Sequence, residues 1–462
     1  MNKTAILFFA LLCAVAVSAQ DQKKPADGGL AGGKKAVEVF TKKKLDDEFL
    51  KRKKEGWSPV ILPNISASTD IGFLGGLIGG FCYNGTRDNP YFEYSPYILA
   101  VTAAAAGSTK GAQGYALQFD APYIGNTPLR LMGSGGYSKN LLDTYYGRDS
   151  GTNRHLLTRY GASYGNFARY QKRFLNASDP LNPLSPLYTK PVNNRFNNYK
   201  NEQFNGYLMA MVEIFKYLSF SVGYGFELVD IKTWAGRKFD CDAGRNVISA
   251  QTLIDLDPDA MFDPRKAFIS LARAGVAFST IDYEPDPHNG VLIDYTILVS
   301  SKYIGSDVSY LRHTFGARFY YSPVYQFTIA ARIAYTATTG HVPFYDLGMF
   351  SFFYNPSTWQ LIRGYRLGRF IGIAMTMGNL ELRWQFVEFK ILKQRFALKL
   401  AAFVDAGCGF SDWKDPFTTW NRYHLGYGPG LMISYNLSTI LSFYYGFSKE
   451  DQTFNFGFGY SF

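Results

Sequence analysis

Every second residue near the end of this chain is aromatic. Phe454, Phe456, Phe458, Tyr460 and Phe462 take the even positions, while Asn455, Gly457, Gly459 and Ser461 fill the odd ones. An extended strand points alternate side chains to opposite faces, so one face here is wholly aromatic and the other small or polar. The same period recurs upstream. Leu441, Phe443, Tyr445 and Phe447 alternate with Ser442, Tyr444, Gly446 and Ser448. Leu380, Leu382, Trp384 and Phe386 alternate with Asn379, Glu381, Arg383 and Gln385, and Leu218 to Phe226 behave likewise. A chain built this way folds as β-sheet with one apolar face.

A soluble sandwich shares that alternation, but two features point to a membrane. The apolar face is rich in aromatics near strand ends, as membrane-interface girdles are. The other face carries Arg318, Arg332, Glu381, Arg383, Lys399 and Asp405, which suit a wet lumen. In lipid every strand edge needs a partner, so the sheet must close on itself. The expected fold is therefore all-β, a 16-stranded antiparallel transmembrane β-barrel. Its strands are expected near 60–68, 72–84, 94–106, 112–121, 127–139, 203–215, 217–231, 267–281, 289–301, 308–320, 325–337, 375–388, 395–407, 424–435, 438–448 and 453–462. Long connections at 140–202, 232–266, 338–374 and 408–423 are expected outside the cell. Short ones at Gly107–Gly111, Lys216, Pro323–Val324 and Asn436–Leu437 are expected in the periplasm. The segment 85–93 is long for a periplasmic turn, and the alternation does not explain it.

Three segments follow from the composition. Residues 1–19 read as a signal peptide, with Lys3, an apolar stretch from Ala5 to Val17, and small residues before Gln20. Residues 20–57 carry eleven Lys and Arg against seven Asp and Glu, and 34–55 reads as a weakly amphipathic basic helix. That periplasmic segment is either a solvated tether or a helix lying under, or plugging, the barrel at 58–462. The chain's formal charge of +11 falls by one with the signal peptide. Anionic headgroups at both faces and carboxylates inside the barrel account for such a charge better than nucleic acid does.

Cysteine usage does not suggest a disulfide scaffold. Cys241 and Cys408 both fall in expected external loops, while Cys82 lies near a periplasmic strand end, so only the first two can meet. They can form a disulfide, with single reactive thiols as the alternative.

The connection between strands 11 and 12 holds Ile362-Arg363-Gly364-Tyr365. Asn379-Leu380-Glu381-Leu382-Arg383 and Phe403-Val404-Asp405-Ala406-Gly407 follow it. This ordered set resembles the BamA/TamA superfamily of outer-membrane assembly and secretion barrels, the bacterial surface antigens of Gram-negative cells. Pro63-Asn64-Ile65, Asp282-Tyr283 with Pro287-His288-Asn289-Gly290, and the terminal Tyr460-Ser461-Phe462 are similar to further family features. The last resembles the aromatic C-terminal signal of barrel substrates.

The resemblance implies a sixth loop folded into the lumen, where Arg363 is pinned to Glu381 and Asp405. A planar guanidinium fork suits paired carboxylates in such a shielded place. The alternative is an ordinary solvated arginine. The resemblance also implies protein insertion or translocation. Unfolded outer-membrane or exported proteins, a periplasmic accessory protein and outer-membrane lipid or lipopolysaccharide are the expected partners. The family's periplasmic POTRA domains have no room in 20–57, so a member lacking them is expected. A passive channel or binding barrel sharing the fold is the alternative function. Pro59 and Pro63 remove ladder donors from strand 1, so its junction with strand 16 is expected to be weak.

Enzyme chemistry finds little support. Gly161-Ala162-Ser163-Tyr164-Gly165 matches a hydrolase elbow but lies in a long loop without strand–turn–helix context. Asp255, Asp257 and Asp259 lack the glycine and the bidentate acid of a calcium loop. No catalytic residues, no metal and no cofactor are expected.

Overall fold

The computed structural model describes residues 45, 47–68, 72–148, 156–157, 163–170, 197–215, 217–234, 238–241, 245–248, 252–359, 362–391, 394–436 and 439–462. The expected signal peptide and most of the 20–57 leader lie outside them. Sixteen strands make one antiparallel sheet in strict chain order. They are β1 (Trp57–Ser68), β2 (Gly72–Tyr83), β3 (Leu99–Ser108), β4 (Gln113–Ala121), β5 (Leu129–Thr144), β6 (Asn198–Phe215), β7 (Leu218–Thr233) and β8 (Lys266–Ser279). The sheet continues with β9 (Gly290–Ser300), β10 (Tyr310–Val324), β11 (Phe327–Gly340), β12 (Ala374–Ile391), β13 (Gln394–Phe410), β14 (His424–Tyr435), β15 (Thr439–Ser448) and β16 (Gln452–Phe458). Each of the sixteen expected strands overlaps one of these.

The period-two code sets the register. On β12, Leu380, Leu382 and Trp384 are exposed on the outer face, while Asn379, Glu381 and Arg383 are buried inside. A one-residue slip would turn Glu381 and Arg383 outward. A lipid-facing charge costs up to about 2–4 kcal/mol at mid-membrane, so the pairing has one strongly preferred register.

Strand alternation gives the sheet a rim of short turns and a rim of long loops. Gly107–Gly111 was expected among the short periplasmic turns. The β3–β4 turn that contains it instead lies on the long-loop rim, because it shares a side with the β5–β6 connection. A tight turn says nothing by itself about side; only the parity of the strand count does.

Among the described residues no ladder joins β1 to β16, although their Cα atoms come within 8 Å in places. β1 carries two prolines, and β16 is only seven residues long. The Tyr435 hydroxyl reaches across the short-turn rim to the Pro59 carbonyl at 3.3 Å. The two edges thus meet without the hydrogen bonds that hold every other neighbouring pair.

The leader ends in a docked helix, α1 (Asp47–Arg52). Leu45 and Phe49 are buried, and the Phe49 ring stacks on Tyr283 at 4.7 Å. Arg52 donates to the Tyr325 hydroxyl at 2.5 Å and lies 3.7 Å from Glu388. Lys53 donates to the carbonyls of Phe92 and Ser95, each at 2.6 Å, and the Leu45 N–H donates to the Glu93 carbonyl at 2.8 Å. The segment therefore straps the β2–β3, β8–β9 and β10–β11 turns and the end of β12 together. This explains the long β2–β3 connection, which is the cradle for Lys53.

Burial pushes the Lys53 amine down to about 7 from its ordinary 10.5. Between those values the undocked segment binds more protons than the docked one, so raising pH through that window favours docking. A spin label at position 51 is expected to lose mobility as pH rises from about 7 to about 10. Lys53→Met should abolish that dependence. Phe49→Ala, which removes a buried ring worth about 3–5 kcal/mol in a core, should undock the helix and expose it to protease without affecting heat-modifiable barrel folding.

Candidate functional site

The site begins with a loop that leaves β11 and runs inside the sheet before reaching β12. Arg363 on this arm is fully buried. Its Nε donates to Asp405 Oδ2 at 2.7 Å and its Nη2 to Asp405 Oδ1 at 2.6 Å, a bidentate pair. Its Nη1 bonds Glu381 Oε1, and its backbone N–H reaches Asp405 Oδ2 at 2.9 Å. Phe403 and Tyr444 flank the guanidinium, with ring centroids 3.6 and 4.4 Å from Cζ. Both carboxylates are also fully buried.

Each acid is shared. Glu381 Oε2 accepts from Arg383 Nε at 2.8 Å, and Asp405 Oδ1 accepts from Asn379 Nδ2 at 2.7 Å. Buried charges are tolerable only when paired and fully hydrogen-bonded. β12 and β13 supply the acids on their inward phase, so strand alternation itself positions the clamp.

The backbone fits as closely as the charges. Gly364 has φ +100°, and a Cβ there would lie 2.6 Å from the Phe447 carbonyl. Gly426 on β14 and Gly446 on β15 face the arm backbone so tightly that a Cβ on either would collide with Arg363 or Gly364. Ile362, Tyr365 and Phe370 pack together beyond the clamp. The structure thus brings Arg363, Glu381 and Asp405 together and seats Ile362, Gly364 and Tyr365 around them.

Sequence reasoning missed the rest of the arm's anchors. Arg366 pairs with Asp451 at 2.7 Å, and Arg369 holds Glu450 through Nε at 2.7 Å and Nη2 at 2.8 Å. The arginines at every third position, 363, 366 and 369, with Glu450 and Asp451 together in the β15–β16 turn, were the available signal. Earlier on the arm, Phe350, Phe352 and Phe353 are fully buried inside the sheet. The Phe353 N–H donates to Asp294 Oδ2 at 2.9 Å, whose other oxygen takes Arg318 at 2.8 Å. The aromatic-rich run at 349–354, inside an expected external loop, was a signal of burial that the sequence reading passed over.

Tyr460 and Phe462 do not lie on the outer aromatic face. β16 ends at Phe458, and Gly459 with φ +76° breaks the alternation. Both rings then sit inside, near Arg383 and Arg332. The Cys241 side chain lies outside the described residues, as do Gly161 and Ala162 of the Gly-x-Ser-x-Gly stretch. Cys408 is buried, with its Sγ directed at the Gly409 carbonyl 3.2 Å away. Asp255 caps a short helical turn through Thr252, and Asp257 accepts from the Tyr145 hydroxyl at 2.6 Å. Among the described residues no cluster of His, Cys, Asp and Glu could hold a metal.

Arg363→Ala would leave Asp405 with the neutral Asn379 amide and Glu381 with Arg383 alone, a loss of about 3–5 kcal/mol for a broken buried pair. The arm should become protease-sensitive while the barrel still shows heat-modifiable migration. Gly364→Ala should loosen the arm too, by steric clash at a left-handed backbone. Unchanged proteolysis of the arm in both variants would contradict the clamp.

A family model described as the Omp85 superfamily domain matches residues 100–462, and a domain of unknown function (DUF5982) matches residues 35–98. No curated protein sequence matches the chain. Among solved structures, BamA from Haemophilus ducreyi lacking POTRA domains 1–3 aligns at 13% identity and TM-score 0.47, over 88% of this chain and 70% of that one. CdiB from Escherichia coli aligns at 11% identity and TM-score 0.48, over 87% of this chain and 61% of that one. With the family model covering the sheet from β3 onward, the chain belongs to the Omp85 superfamily of outer-membrane transport and insertion barrels.

Proposed function

We propose that this protein moves polypeptide into or across the outer membrane without a catalytic centre, and that clients engage it at the junction of β1 and β16. The observation that carries this reading is the contrast between lumen and seam. The lumen is occupied by a clamped arm, and the phenylalanines at its front are fully buried. The seam is the one place where neighbouring edges meet without a ladder among the described residues. A strand edge with unused donors and acceptors is a template for another strand.

The docked helix and the β2–β3 connection offer a surface on the short-turn rim for a periplasmic accessory protein. On the opposite rim Trp413, Phe417 and Trp420 are exposed beside Lys414 and Arg422, a combination suited to lipid or lipopolysaccharide headgroups. The residues paired in the clamp serve to hold the arm, not to react. Cys408 lies in β13 opposite Thr376, not in the expected external loop, and its pairing with Cys241 of the β7–β8 connection is retained only as a candidate disulfide.

A second reading, a passive channel, is favoured by one feature. A cavity of about 290 Å³ remains between β4–β10 and the arm, with Glu227 and Arg273 in its wall. Two measurements separate the readings. Depletion of the protein should lower a subset of outer-membrane or surface proteins several-fold, with no change in small-solute permeability. Reconstituted wild-type protein should conduct little, and deleting the arm should raise conductance. Steady solute flux through the wild type, with an unaltered proteome on depletion, would favour the channel.

A further inference from the structure

The inward face of β4–β8 is hollow beneath the arm. The register sets Glu227 in one cross-strand row, Tyr207 and Gly225 in the next, and Gly223 and Arg273 in the third. Gly136 on β5 and Ala116 on β4 extend the first row. Four inward positions therefore carry a methyl group or nothing. The arm residues Met349, Asn355 and Ser357 line the hollow from the other side. The void between them is about 290 Å³, at the small end of the range that small-molecule sites take.

The charges around this void pair off incompletely. Asp346 and Arg312 are the charges acting on Glu227, and they pair with each other at 3.2 Å. Asp294 acts on Arg273, but its oxygens take Arg318 Nη1 at 2.8 Å and the Phe353 N–H at 2.9 Å. Glu227 and Arg273 are left, and neither forms an ion pair among the described residues. Glu227 has no hydrogen bond there either. Arg273 gives one bond from each nitrogen to neutral acceptors, the Ser351 hydroxyl at 3.2 Å, the Met209 sulfur and the Phe352 carbonyl. A guanidinium has five N–H donors, so two remain.

A carboxylate and a guanidinium taken from bulk water are costly unless each gains a charged or hydrogen-bonding partner. Here the two unpaired charges are of opposite sign and line one void. Gln118, Ser134, Asn205 and Tyr207 line it too, and their side chains form no hydrogen bond among the described residues. Two amides and two hydroxyls offer both donors and acceptors, as the edge of a peptide group requires.

Spacing sets the length of a matching molecule. Four residues of ladder separate the levels of Glu227 and Arg273, about 13 Å of strand. The Glu227 side chain covers part of that distance. An extended tripeptide spans about 10 Å between its ends, whereas a single amino acid holds both charges on one Cα.

We propose that this void is a binding site for a short zwitterionic peptide of about three residues, its ammonium on Glu227 and its carboxylate on Arg273. The site goes beyond the polypeptide-handling reading and does not depend on it. A long chain passing the barrel presents internal amides, whereas this site reads two free ends. Because the arm forms one wall, the bound peptide bridges the arm and β6–β8.

The test uses the full-length chain in detergent and tritiated trialanine, read by equilibrium dialysis. Trialanine should bind saturably. Blocking either end, as N-acetyl-trialanine or trialanine amide, should weaken binding at least tenfold. Glu227→Gln breaks no hydrogen bond among the described residues. It should weaken trialanine at least tenfold and leave N-acetyl-trialanine unchanged. Ala116→Leu fills the hollow without touching a charge and should abolish binding of all three peptides.

Heat-modifiable migration checks that each variant is folded, and the two blocked peptides test both charges on the wild-type chain if a variant is not. Equal binding of free and blocked peptides overturns the proposal. So does full affinity in folded Glu227→Gln or Ala116→Leu. Absence of saturable binding at millimolar trialanine overturns it as well, leaving water as the occupant of the void.

Discussion

Burying Arg363 between Glu381 and Asp405 is the constraint around which the interior is arranged. Three charges without water are stable together and expensive apart. The fork of the guanidinium fixes the arm's direction, and two aromatic rings close over its faces. Gly364, Gly426 and Gly446 let the arm backbone come close enough for the bonds to form. The clamp fastens the arm, since its charges satisfy one another.

From that fastening a chain of shared contacts runs toward the short-turn rim. Glu381 is common to Arg363 and Arg383, and Arg383 covers the Tyr460 ring. Tyr460 shares Asp286 with Lys399, and the same β8–β9 turn presents Tyr283 to Phe49 of the docked helix. The arm, the end of β16 and the helical strap therefore press on one another through named side chains. A change in any one of them is felt by groups that have no water to fall back on.

Much of this was legible in the sequence, for a physical reason. Alternation is written residue by residue, so the sixteen strands and the inward placement of Glu381, Arg383, Lys399 and Asp405 follow from counting. The arm was legible because Ile362-Arg363-Gly364-Tyr365 resembles a family motif, not because spacing alone dictates a pair. What escaped depends on breaks in the pattern. Gly459 ends the alternation, so Tyr460 and Phe462 turn inward although their phase says outward. The rim of the β3–β4 turn needs strand parity, and the long β2–β3 connection is explained only by Lys53. The anchors Arg366 and Arg369 required knowing which turn the arm would meet.

The central claim is that clients work at the seam while the lumen arm stays fastened. The most direct measurement compares two engineered disulfides in cells depleted of the native protein, one tying β1 to β16 and one tying the arm to the lumen wall. The seam lock should stop client assembly until reductant is added, and the arm lock should leave it running. Client assembly that survives the seam lock, or that halts with the arm lock, would contradict the claim.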